Sequence, residues 1–248
     1  MNVHNAHFRP GAIAFVGLLF AASLFAMPAL QPLFEWAFPG IRPVIYDRSS
    51  FFSLWLSHAG FVGAGCLIAS AVGIGLAIAV TRPAGRDFRP LVGAIASVGQ
   101  TFPPVAVLAL AVPIVGFGAA PTLLALSLYG FLPVLANSIA GLDGVSPAVL
   151  EAARGLGMSP LQVLRRAELP LAAPMILAGV RTSVIFNIGT ATIGSTVGAP
   201  TLGTPIISGL IGEKLPFVIQ GTLVVGLFAI LTDLVFERLE TRLRRGLV

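Results

Sequence analysis

An all-α membrane protein with six transmembrane helices is the fold class this sequence predicts, on three observations. Of 248 residues, 56% are apolar and only 10% are charged, against roughly 25% charged in an ordinary soluble domain. The charges leave long uncharged windows at 10–34, 49–81, 90–142, 182–212 and 215–232, and about 18 mainly apolar residues are enough to cross a bilayer as a helix. Finally, the 15 basic residues flank these windows instead of forming one basic face, so the pI near 10.6 speaks for membrane orientation and against nucleic acid.

The elements are justified in chain order. The first span is expected at about 11–34. Arg9 and the alanine-rich stretch at 22–29 also have the outline of a cleavable signal peptide. The apolar run is longer than a signal core, however, and its removal would leave an odd number of spans. Residues 35–50, with Pro39, Gly40 and Pro43, read as an external loop. The second span is placed at 57–81, where Gly60, Gly63, Gly65, Gly73 and Gly75 would allow close helix packing. The window 90–142 is too long for one helix and breaks naturally at Phe117-Gly118-Ala119-Ala120-Pro121, giving spans at 91–115 and 120–141. Their prolines Pro103, Pro104, Pro113, Pro121 and Pro133 are tolerated in a membrane where neighbours repair the freed carbonyls. The fifth and sixth spans are expected at 171–194 and 215–235.

An even number of spans puts both termini on one side, and the positive-inside rule selects the cytoplasm. The inner segments then hold Arg9, Arg82, Arg86, Arg89, Arg154, Arg165, Arg166, Arg238, Arg242, Arg244 and Arg245, against Arg42, Arg48 and Lys214 outside. Arg181 falls within a span, where snorkelling or pairing is expected. Trp36, Tyr46 and Trp55 lie near the outer boundary, as interfacial aromatic rings do.

Whole classes of function are excluded. The only lysine is Lys214, preceded by Glu213, so there is no phosphate loop for ATP. Three histidines and the single Cys66 do not make a metal or disulfide framework, and no cofactor is expected. An intramembrane enzyme would need a nucleophile or acid–base set within the spans, and none is evident. A channel or passive scaffold would differ from a pump subunit in bringing no ATPase through purification.

Residues 143–170 form a cytoplasmic loop longer than the usual helix connection, and its pattern is structured. Ser146-Pro147 reads as an N-cap with a first-turn proline. Ser159-Pro160 repeats this with Gln162 completing a capping box. Gly155 and Gly157 stand where the first short helix should stop. Val149, Ala152 and Ala153 would form a small apolar face, with Glu151 and Arg154 turned elsewhere. Such a hairpin suits either a lipid surface or a partner's groove.

Glu151-Ala152-Ala153, then Gly157, then Leu169-Pro170 resembles the EAA loop of permease subunits of binding-protein-dependent ABC importers; Gly155 is an additional glycine beside it. Within that family the chain resembles the osmoprotectant branch, in Gln100-Thr101-Phe102-Pro103, Leu128-Tyr129-Gly130-Phe131-Leu132-Pro133, Gly179-Val180-Arg181-Thr182 and Ile188-Gly189-Thr190-Ala191-Thr192. Relatives often carry Gly-Ala-Gly-Gly-Leu-Gly where this chain has Gly198-Ala199-Pro200-Thr201-Leu202-Gly203.

The resemblance implies one type I ABC importer (MetI-like) permease domain over 1–248, with its core at about 55–235 and 143–170 as the coupling loop. It further implies a non-enzymatic subunit in the inner membrane. Its partners would be separate ATP-binding cassette ATPase subunits, an external substrate-binding protein, and a second permease subunit, identical or sister. The implied cargo is glycine betaine or a related quaternary amine, with an amino acid or other small organic solute as the alternative. A quaternary ammonium has no N–H to donate and suits aromatic faces, which makes Phe102, Tyr129 and Phe131 candidates for the path. Asn187, Thr190 and Thr192 belong to a set of polar residues that makes the fifth span too polar to face lipid.

Overall fold

The computed structural model describes residues 10–245, with side chains from 11 to 243. Arg9 and the side chains of Arg244 and Arg245, counted above among the inner charges, lie outside these. Among the described residues the chain is helical with no strand. Four stretches are each long and apolar enough to cross a membrane, namely 51–81, 119–143, 160–197 and 215–243; two sharply bent helix pairs bring the number to six if each is one span.

The first bent pair replaces the expected straight span at 11–34. Helix α1 (Pro10–Phe25) gives way to a 3₁₀ turn at Met27–Leu30 and a short α2 (Gln31–Ala37), with an 82° bend between the halves. Pro28 and Pro32 lack the N–H that a continuous helix needs, and their rings collide with carbonyls one turn earlier. After an irregular stretch, α3 (Phe51–Thr81) begins at Ser50, whose hydroxyl accepts from Ser53 N–H at 3.1 Å. At about 1.5 Å per residue α3 is roughly 46 Å long, more than a bilayer's ~30 Å core.

The second bent pair corrects the expected span at 91–115. Helices α4 (Arg89–Thr101) and α5 (Pro104–Val115) meet at 95°. The cause is the Pro103-Pro104 pair. A residue before proline is pushed out of the helical region, and both Phe102 and Pro103 precede one; each is extended, with ψ of 136° and 138°. The expected break near 117–121 is present: Gly116 and Gly118 have φ of +83° and +96°, and α6 (Ala119–Asp143) starts directly after.

Helix α6 lies at the centre, between α3 and α9 (Leu169–Ile193); α11 (Leu215–Arg245) packs on α9, and α1 packs on α11. Small residues set the approach. A methyl group built on Gly65 would sit 2.6 Å from Leu126 Cβ, one on Gly73 3.1 Å from Val134 Cγ1, and one on Gly179 2.8 Å from the Pro133 carbonyl. Gly60, Gly63 and Gly75, equally candidates for close packing by sequence, have open space instead.

Between α9 and α11 a short helix that the sequence does not announce, α10 (Gly203–Ile211), folds back against α11. Its first residue is wedged on α9: a methyl on Gly203 would overlap the Thr192 carbonyl, 2.5 Å from its carbon. Because backbone must move to relieve this, Gly203→Ala is expected to cost about 2–3 kcal/mol and to lower the thermal unfolding midpoint. Gly60→Ala, in open space, should leave the midpoint unchanged or raise it. Equal midpoints for the two variants would contradict the packing.

The opposite correction applies to Tyr46. It is not an interfacial ring but a core residue, 4% exposed, edge-on to Phe217 at 5.5 Å. Gln220, fully buried on α11, holds the stretch before α3 by accepting from Tyr46 N–H at 3.0 Å and donating to Val44 C=O at 2.7 Å.

Candidate functional site

The segment between α6 and α9 holds the loop residues singled out in the sequence. Helix α7 (Pro147–Gly155) starts as expected at Ser146-Pro147, but the Ser146 side chain caps nothing; its carbonyl accepts from Val149 and Leu150 N–H instead. The helix ends in a Schellman arrangement: Met158 N–H donates to Ala153 C=O at 3.2 Å and Gly157 N–H to Arg154 C=O at 2.9 Å. That closure requires the left-handed residue, and Gly157 supplies it with φ of +77°. Gly155 is the last helical residue and a methyl there would meet nothing.

The expected capping box is present. Ser159 N–H donates to Gln162 Oε1 at 2.8 Å and Gln162 N–H to Ser159 Oγ at 3.4 Å. The helix it opens is not the separate second helix expected of a hairpin. Helix α8 (Pro160–Val163) passes through one π-helical turn (Leu164–Glu168) straight into α9. The π turn has a local cause. Pro170 has no N–H to offer the Arg166 carbonyl one turn earlier, and Leu169 N–H reaches back five residues to Leu164 C=O. Leu169-Pro170 therefore marks the place where the loop becomes the long helix α9.

This junction is held by charge. Glu168, 5% exposed, receives two bonds from the Arg82 guanidinium, at 2.6 and 3.1 Å, and Arg82 directly follows α3. A second pair, Arg89 to Asp143 at 2.7 Å, joins the start of α4 to the end of α6. By contrast α7 itself stands off the bundle. Only Ala153 of its expected apolar face is buried; Glu151 and Ala152 are exposed, Val149 is 40% exposed, and Leu156 beyond the helix end is 78% exposed.

The other candidates lie deeper. Tyr129 and Phe102 meet: the tyrosine hydroxyl donates to the Phe102 carbonyl, at the bend between α4 and α5. Gln100, a motif residue to which the sequence alone assigns no role, donates from Nε2 to the Tyr129 carbonyl at 2.8 Å. That carbonyl is the one Pro133, four residues on, leaves without a helix donor, so α4 repairs the gap in α6. The spacing of Tyr129 and Pro133 held this signal. Asn187 is fully buried against Gly130, and neither of its amide atoms has a hydrogen-bond partner among the described residues; the Ser183 hydroxyl beside the same glycine and the Ser138 hydroxyl two turns further along α6 are also unpaired. Thr190 and Thr192 are not brought to the Phe102–Tyr129 pair by any bond. Their hydroxyls return to their own helix, at Phe186 C=O (3.0 Å) and Gly189 C=O (2.6 Å).

Two further residues were legible only as types. Arg181 pairs with Asp233 at 2.7 Å and Glu240 at 3.4 Å, tying α9 to α11. His58 on α3 is fully buried and its Nδ1 accepts from Leu202 N–H at 3.3 Å, below α10.

A family model described as binding-protein-dependent transport system inner membrane component matches residues 69–245. Among sequence relatives, the osmoprotectant import permease protein OsmY of Salmonella typhimurium is 38% identical over 204 residues, covering 82% of this chain and 86% of that protein. The choline transport system permease protein OpuBB of Bacillus subtilis is 42% identical over 60% of this chain and 69% of its own length. The glycine betaine/carnitine/choline permease OpuCB of Bacillus subtilis is 38% identical over 71% of this chain and 84% of its own. Among solved structures, a chain of the inward-facing MetNI methionine ABC transporter superposes with a TM-score of 0.70 at 20% identity, covering 77% of this chain and 95% of that chain. An amino acid ABC transporter chain gives 0.62 at 18% identity, over 90% and 98%. At such identities the last two speak for the fold alone.

Proposed function

The chain belongs to the family of binding-protein-dependent transport system inner membrane components, and from this premise we propose that it is the permease subunit of an ATP-driven osmoprotectant importer. Membership implies an inner-membrane, multi-pass protein that works with ATPase and substrate-binding partners. The cargo is a small quaternary amine such as glycine betaine, choline or carnitine, a reading supported by the relatives named for these compounds. They favour it over an amino acid.

The observation that carries the subunit role is α7, a helix that leaves Glu151 and Ala152 uncovered, with Leu156 exposed just beyond its end, beside a rigidly closed Gly157 turn. In this reading the 143–170 segment and both termini are cytoplasmic, as the basic residues at that end support. ATPase closure pushes on α7, with Glu151, Ala152, Gly155 and Gly157 as the contact and Ala153, buried beneath them, seating the helix. The push passes through α8 and the π turn at Leu164–Glu168 into α9 at Leu169-Pro170 without a flexible joint, and through Glu168–Arg82 into α3. Packed helices then switch as bodies. Motion of the spans of one domain, with its core at 55–235, against a second permease subunit, identical or sister, alternates access to a path lined in part by Phe102, Tyr129, Asn187, Thr190 and Thr192.

Liposomes containing the whole complex and its binding protein are expected to take up labelled glycine betaine or choline saturably and only with ATP. Absence of saturable uptake for every quaternary amine tried would overturn the substrate reading.

A further inference from the structure

At the end of the molecule opposite α7, a cavity of about 850 Å³ opens between the bend after α1, the irregular stretch before α3, and the first turn of α3. All of its lining residues precede residue 69, where the family match begins, so this cavity is distinct from the family's shared core. Its chemistry is one-sided. The lining holds two carboxylates, Glu35 and Asp47, and one guanidinium, Arg42; Arg48, the exposed neighbour of Asp47 in sequence, is not part of it. Arg42 is already spent on Glu35 Oε1, at 2.9 Å. Asp47 is exposed and bonds to no described residue. At the α3 N-terminus, Ser50 Oγ takes up one of the free backbone donors, Ser53 N–H. The apolar walls are aromatic: Tyr46 is locked by Gln220, and Phe52 and Phe25 stack with ring centres 5.4 Å apart.

We infer that this cavity binds an organic ammonium ion, with Asp47 as its counter-charge and the rings of Tyr46 and Phe52 as its walls. A surplus carboxylate repels anions, aromatic faces attract a cation whose charge is spread over carbon, and the volume lies in the range of small-molecule sites. Two sources carry this group: a soluble amine, or the headgroup of an ethanolamine phospholipid.

Both are tested on the full-length subunit in its complex. In phosphatidylglycerol nanodiscs, titration with choline chloride is followed by the fluorescence of Trp55, whose ring lies 5.7 Å from that of Phe52, with sodium chloride as control. A saturable change weakened at least five-fold by both Asp47→Asn and Phe52→Ala supports a soluble amine. In nanodiscs that also contain phosphatidylethanolamine, native mass spectrometry showing that lipid retained by the wild type and lost from Asp47→Asn supports the headgroup. Asp47 holds no other described residue in place, so its variant tests binding without loss of fold. No saturable change with choline, together with equal lipid retention in wild type and variant, overturns the site. Neither readout uses transport, so its failure is separate from failure of the importer reading.

Discussion

Glu151→Lys is expected to reduce uptake by the assembled importer at least ten-fold while leaving the subunit in the membrane at normal abundance. Glu151 is exposed on α7 and makes no bond to a described residue, so its replacement should change the stability of the subunit by less than about 0.5 kcal/mol. The effect falls on whatever covers α7. Reversing a charge that becomes desolvated at an interface typically costs about 2–5 kcal/mol, which is about 30-fold or more in affinity. Membrane abundance, co-purification with the ATPase, and the ratio of transport to ATP hydrolysis are the measurements. Gly157→Val attacks the same contact by shape, because a branched residue held at φ of +77° costs about 1–2 kcal/mol or more and tilts the helix end. Normal coupled uptake by Glu151→Lys would remove α7 from the drive train.

Arg82→Gln is expected to cost about 3–5 kcal/mol of stability, and the reason is an asymmetry in burial. The Glu168 side chain is 7% exposed and that of Arg82 34%. Removing the arginine strands a buried carboxylate, the expensive case for a broken ion pair. Removing the glutamate leaves a guanidinium that still reaches water, so Glu168→Gln should cost distinctly less. Replacing both with apolar residues, as in Arg82→Met with Glu168→Leu, should recover most of the loss, since a well-packed apolar pair avoids desolvation altogether. Thermal unfolding of the solubilised protein decides this. An Arg82→Gln midpoint equal to the wild type would mean that the pair carries no weight at the junction of α3 and α9.

The features legible in the sequence are local ones. The capping box at Ser159 and Gln162, the stop at Gly157 and the break at Gly118 each depend on groups within a few residues of one another, and the backbone needs of a helix end are the same in any fold. The double proline at 103–104 is equally visible, yet its sequence suggests a bend tolerated inside a span, whereas it divides two helices at 95°. The difference is that two successive residues, not one, are pushed out of the helical region. The candidate loop is legible for the same local reason in its caps, and illegible in its second half. Nothing in residues 160–168 announces that they run on into α9.

By itself, then, the sequence determined that the chain lives in a membrane, that it is helical, and where some helices start or stop, as at Ser146-Pro147, Gly157 and Gly118. Composition and short-range backbone chemistry suffice for that. Only the tertiary structure decided which faces meet: Gln100 repairing the carbonyl at Tyr129, Glu168 meeting Arg82 across 86 residues, Gln220 holding Val44 across 176. A soluble helix advertises its inner face by an apolar stripe. In a membrane, lipid and core are both apolar and that contrast disappears, so the partners of a buried polar group become known only when the helices are seen together.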